Sequence, residues 1–156
     1  GRLLIEHVVA ALKPQVDDIV ISANRHFDRY QALGYKVTAD KTGDHAGPLA
    51  GIASAIPECQ NEWIVVVPCD MPALPDDLVS LLAINNGEKK LAVVSTGDQV
   101  QLIFLLHRSL LGSIESFLSA NQHTVMRWVD SIDHARIPIE NDNYLSNINT
   151  AAQLEN

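Results

Sequence analysis

The apolar positions of this chain change period several times, and the changes divide it into alternating elements. Between Arg2 and Leu12 they fall at helical spacing, with Leu4, Val8 and Ala11 on one face and Leu12 closing the run before Pro14. Asp18 to Ala23 reads as a strand, His26 to Leu33 as a short helix stopped by Gly34, and Tyr35 to Ala39 as the next strand. A polar loop, Lys41 to Gly47, gives way to a helix opening at Pro48, whose small residues Ala50, Gly51, Ala53 and Ala55 would let it lie close to a sheet. Trp63-Ile64-Val65-Val66-Val67 is an unbroken apolar run rich in β-branched residues, the pattern of a strand covered on both faces in the middle of a parallel sheet. Pro75-Asp76-Asp77 starts a helix through Ile84, and Leu91 to Ser95 is a strand. Gly97-Asp98 then turns the chain into Gln101 to Leu106, so these two strands form a hairpin. Leu110, Ile114, Phe117 and Leu118 share a helix face, Thr124 to Val129 reads as another helix, Ala135 to Ile139 as a weak strand, and Thr150 caps a final helix.

Successive strand-helix units imply a mostly parallel sheet, with the hairpin adding an antiparallel strand. The expected class is α/β in three layers, as one domain over residues 1–156. Either a strand preceded the helix at Arg2 and has been lost, or the domain begins with that helix.

Composition narrows the function. A chain of 156 residues is long enough to bury about 70% of its unfolded surface without staples. Nineteen acidic residues against eleven basic give a formal charge of -8. With no basic run to offset this, nucleic acid and anionic membranes are poor partners, and a small anionic ligand needs neutralisation by a metal or by backbone amides. Cys59 and Cys69 lack CxxC spacing and read as reduced thiols of a cytoplasmic protein. No apolar stretch reaches membrane-spanning length and no signal-peptide pattern is present.

In an α/β sheet the loops after the strands share one rim, so Asn24, Asp40 and Asp70, each just beyond a strand, are expected to converge on one crevice. Asp70 either begins a turn before Pro72 or is a site carboxylate; Asn24 and Asp40 are likewise open to ordinary turn and loop roles. HExxH and GxSxG are absent, the six histidines lack metal spacing, and His45 reads as a solvated loop residue. Metal-supported phosphate chemistry is left. Magnesium needs as little as one carboxylate when substrate phosphates and waters complete its shell. Gly47-Pro48-Leu49-Ala50-Gly51 places free amides and a helix dipole where they favour an anion, although Gly-Pro helix starts are common.

Pro68-Cys69-Asp70-Met71-Pro72, Gly47-Pro48-Leu49-Ala50-Gly51, Ser22-Ala23-Asn24-Arg25 and Asn147-Ile148-Asn149-Thr150 occur in one order and spacing. In this the chain resembles, over essentially its whole length, the molybdenum cofactor guanylyltransferases. The resemblance implies a Rossmann-like nucleotidyltransferase fold and transfer of GMP from GTP to molybdopterin carrying molybdenum, with magnesium, releasing pyrophosphate. The terminal phosphate of molybdopterin would attack the α-phosphorus of GTP directly, without a protein nucleophile. It further implies that Asp70 is the magnesium and GTP ligand and that Asp40 and the Ser22 to Asn24 strand end contact the guanosine. Asn147 and Asn149 would stand near the metal and the incoming molybdopterin phosphate. The family's phosphate-binding loop, Leu-Ala-Gly-Gly followed by Arg and Lys, precedes the position of Gly1, which agrees with a lost first strand. Molybdenum cofactor biosynthetic or acceptor proteins are implied as transient partners. The chain departs from the family at Val100-Gln101-Leu102, where a proline is usual, and at Thr150-Ala151-Ala152, which lacks the usual Pro-Glu. A cytidylyltransferase of the same fold usually carries Asp in place of Asn147 and Asn149. A receiver domain spaces its motif Asp-x-x-Met-Pro, unlike Asp70-Met71-Pro72. A nucleotide-binding module without catalysis is the remaining alternative.

Overall fold

The structure is a computed structural model that describes residues 3–40, 47–71 and 73–139. It alternates helices and strands: α1 (Leu4–Leu12), β1 (Val20–Ser22), α2 (Phe27–Gln31), β2 (Lys36–Thr38), α3 (Gly47–Ala55) and β3 (Trp63–Val66). These are followed by α4 (Leu78–Ile84), β4 (Leu91–Thr96), β5 (Gln99–His107), α5 (Leu111–Ser119), α6 (Val125–Ser131) and β6 (Ala135–Pro138). The helix expected at Thr150 lies outside the described residues. At the start of α1 the Glu6 carboxylate accepts the Leu3 N–H at 2.6 Å, satisfying one of the donors that a first helical turn leaves open. α2 ends near Gly34, whose φ of +90° is the left-handed geometry that glycine adopts at a helix stop.

β1 and β2 form a parallel pair, and the other four strands form a sheet in the order β3-β5-β4-β6. β4 and β6 run parallel, while β5 is antiparallel to both β3 and β4. The hairpin is as expected: Thr96 faces Gln99 across Gly97-Asp98, and Gly97 has φ +59°, which a two-residue hairpin turn requires.

The strand at Trp63 departs from expectation. The apolar run predicts a central strand of a parallel sheet, yet among the described residues β3 pairs with β5 alone and antiparallel, at the edge of its sheet. Trp63 is 42% exposed there. The hairpin accounts for the antiparallel neighbour, because it folds β5 back between β4 and β3.

The side chains of β4 and β5 alternate between two cores. Ala92, Val94, Ile103 and Leu105 pack with Val8 and Leu12 of α1 and Leu78 and Leu82 of α4. Leu91, Val93, Phe104 and Leu106 pack on the other face with helices α3, α5 and α6. A strand residue and its neighbour point to opposite faces, so this alternation makes the sheet the middle of three layers. The α/β, three-layer expectation holds. Among the described residues no helix is long and apolar enough to cross a membrane.

Candidate functional site

A cleft of about 1160 Å³ lies between β1 and β3 and is lined by both. At the strands' starting end its two sides are tied together: the Asp18 carboxylate accepts the Gln60 N–H at 3.2 Å, and Asp17 accepts from the Asn61 side-chain amide at 3.4 Å. Val20, Ile21, Ile64, Val65 and Val66 make its middle apolar. Polar residues stand at both ends: Asp17, Asp18, Gln60, Asn61 and Glu62 at the strands' starting end, and Ser22, Asn24, Asp40 and Asp70 at the carboxyl ends, which is where open α/β sheets take their ligands.

Asn24, just past β1, Asp40, just past β2, and Asp70, just past β3, all line this cleft, and Gly47, Pro48 and Gly51 line it from α3. The predicted convergence is therefore present in the geometry. The side chain of Asn24 is exposed, and those of Asp40 and Asp70 are half-buried. Leu49 differs: it is fully buried among Trp128, Phe104 and Ile114 and is absent from the lining. Its side chain is a core residue, since helical spacing turns it inward while Pro48 and Gly51 face the cleft, and any ligand contact it makes is through its backbone. Asn147 and Asn149 lie outside the described residues, as do residues 41–46, which include His45.

Two local arrangements shape the rim. The first is a hydrogen bond from the Asp40 backbone N–H to the Asn24 side-chain oxygen, at 2.9 Å. β1 and β2 pair at an offset of 16 residues, Val20 opposite Lys36, and the same offset sets Asn24 beside Asp40. The second is the approach of α3 to β1. A Cβ on Gly51 would stand 2.7 Å from the Ser22 hydroxyl oxygen, so this glycine lets the helix lie against the strand end. The run of small residues in α3 signalled that closeness; the Asn24 bond became legible only with the strand register.

The helix start demands glycine for a different reason. Gly47 has φ +72° and a Cβ there would meet nothing nearer than 3.8 Å, so the constraint is backbone conformation, not space. Gly47→Ala is expected to cost about 1–2 kcal/mol, the usual penalty for an L side chain in the left-handed region. An unchanged urea midpoint would show that the turn is not held in this geometry.

The charge of the cleft is one-sided. Asp17, Asp18, Asp40, Glu62 and Asp70 line it, and among the described residues no Lys or Arg does. Arg25 and His26 line an adjoining depression of about 710 Å³. The Cys69 thiol, next to Asp70, is raised above its ordinary pKa by burial and then by the Asp70 charge. It is therefore protonated at neutral pH and a poor nucleophile. Cys59 is raised likewise, by burial first and then by Asp18. Both cysteines are free. No group of three or more His, Cys, Asp or Glu is arranged to hold a metal among the described residues.

Comparison with known proteins gives consistent matches. Residues 1–136 match the family described as MobA-like NTP transferase domain. The molybdenum cofactor guanylyltransferase of Shewanella putrefaciens (strain CN-32 / ATCC BAA-453) is 38% identical over 154 residues, covering 96% of this chain and 79% of that protein. That of Shewanella sp. (strain MR-4) is 41% identical over 131 residues, covering 82% of this chain and 66% of that protein. Among solved structures, molybdopterin-guanine dinucleotide biosynthesis protein A from Archaeoglobus fulgidus superposes with a TM-score of 0.75 at 19% identity, covering 99% of this chain and 83% of that one.

Proposed function

This chain belongs to the family of MobA-like NTP transferase domains, and from that premise we propose that it transfers GMP from GTP to molybdopterin, releasing pyrophosphate. The observation that carries the reading is the convergence of Asp40, Asn24, Pro48 and Asp70 on one cleft at the carboxyl ends of the strands, in a chain 38% identical to a molybdenum cofactor guanylyltransferase.

The residues divide the work along the rim. Guanine presents N–H donors on its pairing edge, for which the Asp40 carboxylate and the amide oxygens of the β1 end are suitable acceptors. The first amides of α3, a nine-residue helix opening at Gly47, face an anion favourably. Asp70 supplies the carboxylate for a hard cation. The donor set fits magnesium, which takes one or two carboxylates and fills its shell with phosphate oxygens and water. It fits for a second reason: a triphosphate at this rim meets the carboxylates of Asp40 and Asp70 and, among the described residues lining the cleft, no Lys or Arg, so it needs positive charge from elsewhere. When bound, magnesium would offset the charge that develops on the phosphoryl oxygens. Asp70 orients the triphosphate, Asp40 and the β1 end orient the base, and the protonated thiol of Cys69 takes no part as nucleophile. Bond making is then left to the terminal phosphate of molybdopterin, which attacks the α-phosphorus of GTP as pyrophosphate departs. Asn147 and Asn149, outside the described residues, belong to this proposal on the family resemblance alone, which implies a role near the metal and the incoming phosphate. Free cysteines suit a cytoplasmic setting, and biosynthetic or acceptor proteins that exchange the cofactor are its implied partners.

Titration of GTP against CTP in the presence of magnesium tests the substrate. GTP is expected to bind preferentially, because a pyrimidine lacks the pair of N–H donors that an acidic wall would accept. Preferential CTP binding would replace the guanylyl reading with a cytidylyl one.

A further inference from the structure

We infer that Arg108, at the end of the sheet opposite the rim, is a positioning residue for the triphosphate: it sets how far α3 advances toward the rim relative to β3. This rests on reading the first amides of α3 and the Asp70 carboxylate as the groups that hold the triphosphate and its magnesium.

Arg108 opens the short helical turn Arg108–Leu110 between β5 and α5, and it is half-buried. Its guanidinium donates to the carbonyls of Ile56 at 3.4 Å, Cys59 at 3.3 Å and Asn61 at 3.4 Å. Its backbone N–H donates to the Glu62 carbonyl at 2.8 Å. These carbonyls belong to the connection between α3 and β3. The helical backbone of α3 runs on through Ala55 into the turn Ile56–Glu58, and β3 begins at Trp63. One residue therefore grips both the last turn of the helix and the lead into the strand.

Other bonds meet the same corner and tie it elsewhere. Asp18 and Asp17 accept from Gln60 and Asn61, and Lys36 pairs with Glu58 at 3.2 Å with both side chains exposed. Those ties run to β1 and β2, across the cleft. Arg108 ties the corner to the end of β5, the strand with which β3 pairs.

Residues 47–58 span roughly 18 Å as a helix. At the far end of that span Gly47 and Pro48 line the rim, as does Asp70 beyond β3. Helix and strand thus diverge from one anchored corner and meet the ligand at their other ends. Leu49, Ile52 and Ile56 bury α3 against the sheet, but apolar contact is non-directional and sets the advance of the helix along its own axis only loosely. A planar guanidinium that reaches several carbonyls at once sets it closely, and its charge suits the carboxyl end of the helix dipole. Without it α3 shifts against β3, and the separation between its first amides and the Asp70 carboxylate changes. A triphosphate must reach both. Guanosine, held by Asp40 and the β1 end, does not depend on that separation.

The test compares two ligands in three proteins. Affinity for GTP with magnesium is measured by calorimetry, and affinity for guanosine by NMR titration, in the wild type, Arg108→Ala and Arg108→Lys. Arg108→Ala is expected to bind GTP about tenfold more weakly, the scale on which a misplacement remote from the chemistry acts, and to bind guanosine as the wild type does. Arg108→Lys should fall between, because one ammonium cannot bridge the carbonyls that the fork reaches. Should the alanine variant unfold, the lysine variant carries the same comparison. Equal losses for GTP and guanosine would mean a general loosening and would overturn the inference. Unchanged GTP affinity in Arg108→Ala would overturn it too, as would full affinity in Arg108→Lys, which would assign the effect to charge alone. A wild type that binds guanosine but gains nothing from the triphosphate and magnesium would remove the phosphate reading itself, and the role of Arg108 with it.

Discussion

Asp70→Asn is expected to reduce guanylyl transfer by at least about a thousandfold, since the several kcal/mol that a bound metal gives a phosphoryl transition state convert at about 1.4 kcal/mol per factor of ten. Asp70 is half-buried beyond β3 in the cleft, and asparagine keeps its shape while removing the charge. The fold should therefore persist, with a melting temperature within the range of an ordinary surface change. The variant carries an independent check that the charge has gone. The Asp70 charge is one of the causes that raise the Cys69 thiol, after burial, so its removal must lower the Cys69 pKa. Iodoacetamide should then alkylate Cys69 faster at a fixed pH near neutrality, because the thiolate is the reactive form. The expected result is three observations together: lost transfer, retained fold and a quicker Cys69. Wild-type turnover in the presence of a quickened Cys69 would remove Asp70 from the mechanism.

Much of this site was legible before the fold was known, and the reasons differ by residue. Asp70 was readable because an apolar run that stops at a carboxylate marks a strand end, and strand ends share a rim. Asn24 and Asp40 were readable as positions for the same reason. Their mutual bond was not, because it depends on the offset between β1 and β2, and hydrophobic pattern fixes which face a residue occupies without fixing its partner. The edge position of β3 was hidden for a related reason. Five apolar residues in a row signify that both faces are apolar, which does not say whether a strand pairs along each edge, and among the described residues β3 pairs on one side alone. Leu49 shows the reverse limit: the motif Gly47 to Gly51 reads as one unit, but helical spacing sends the Leu49 side chain into the core and leaves Gly47, Pro48 and Gly51 on the cleft.

That same division makes the core behind α3 part of the site's support, and Trp128→Ala is its severest test. Trp128 of α6 has no solvent exposure and belongs to the core cluster that contains Leu49 and Ile52 of α3 and Phe104 of β5. Its ring meets Phe104 at a centroid distance of 6.2 Å and a tilt of 51°, within the range of favourable aromatic pairing. Its indole N–H donates to the Ser113 hydroxyl at 3.0 Å, so the polar end of the ring is satisfied as a buried indole must be. Truncation to alanine removes the ring and leaves a cavity between α6, α5 and the sheet, and is expected to cost about 3–5 kcal/mol. In a domain whose whole stability is on the order of 5–15 kcal/mol, that is enough to unfold a substantial fraction at moderate temperature. Trp128→Phe keeps most of the volume and the contact with Phe104 and loses mainly the bond to Ser113, so it should cost about 1–2 kcal/mol. Urea denaturation followed by circular dichroism separates the two, and it avoids relying on fluorescence that the substitution itself changes. Equal midpoints for the alanine and phenylalanine variants would mean that packing behind α3 is not what Trp128 supplies. A midpoint for Trp128→Ala equal to that of the wild type would remove this ring from the core that holds the wall of the cleft.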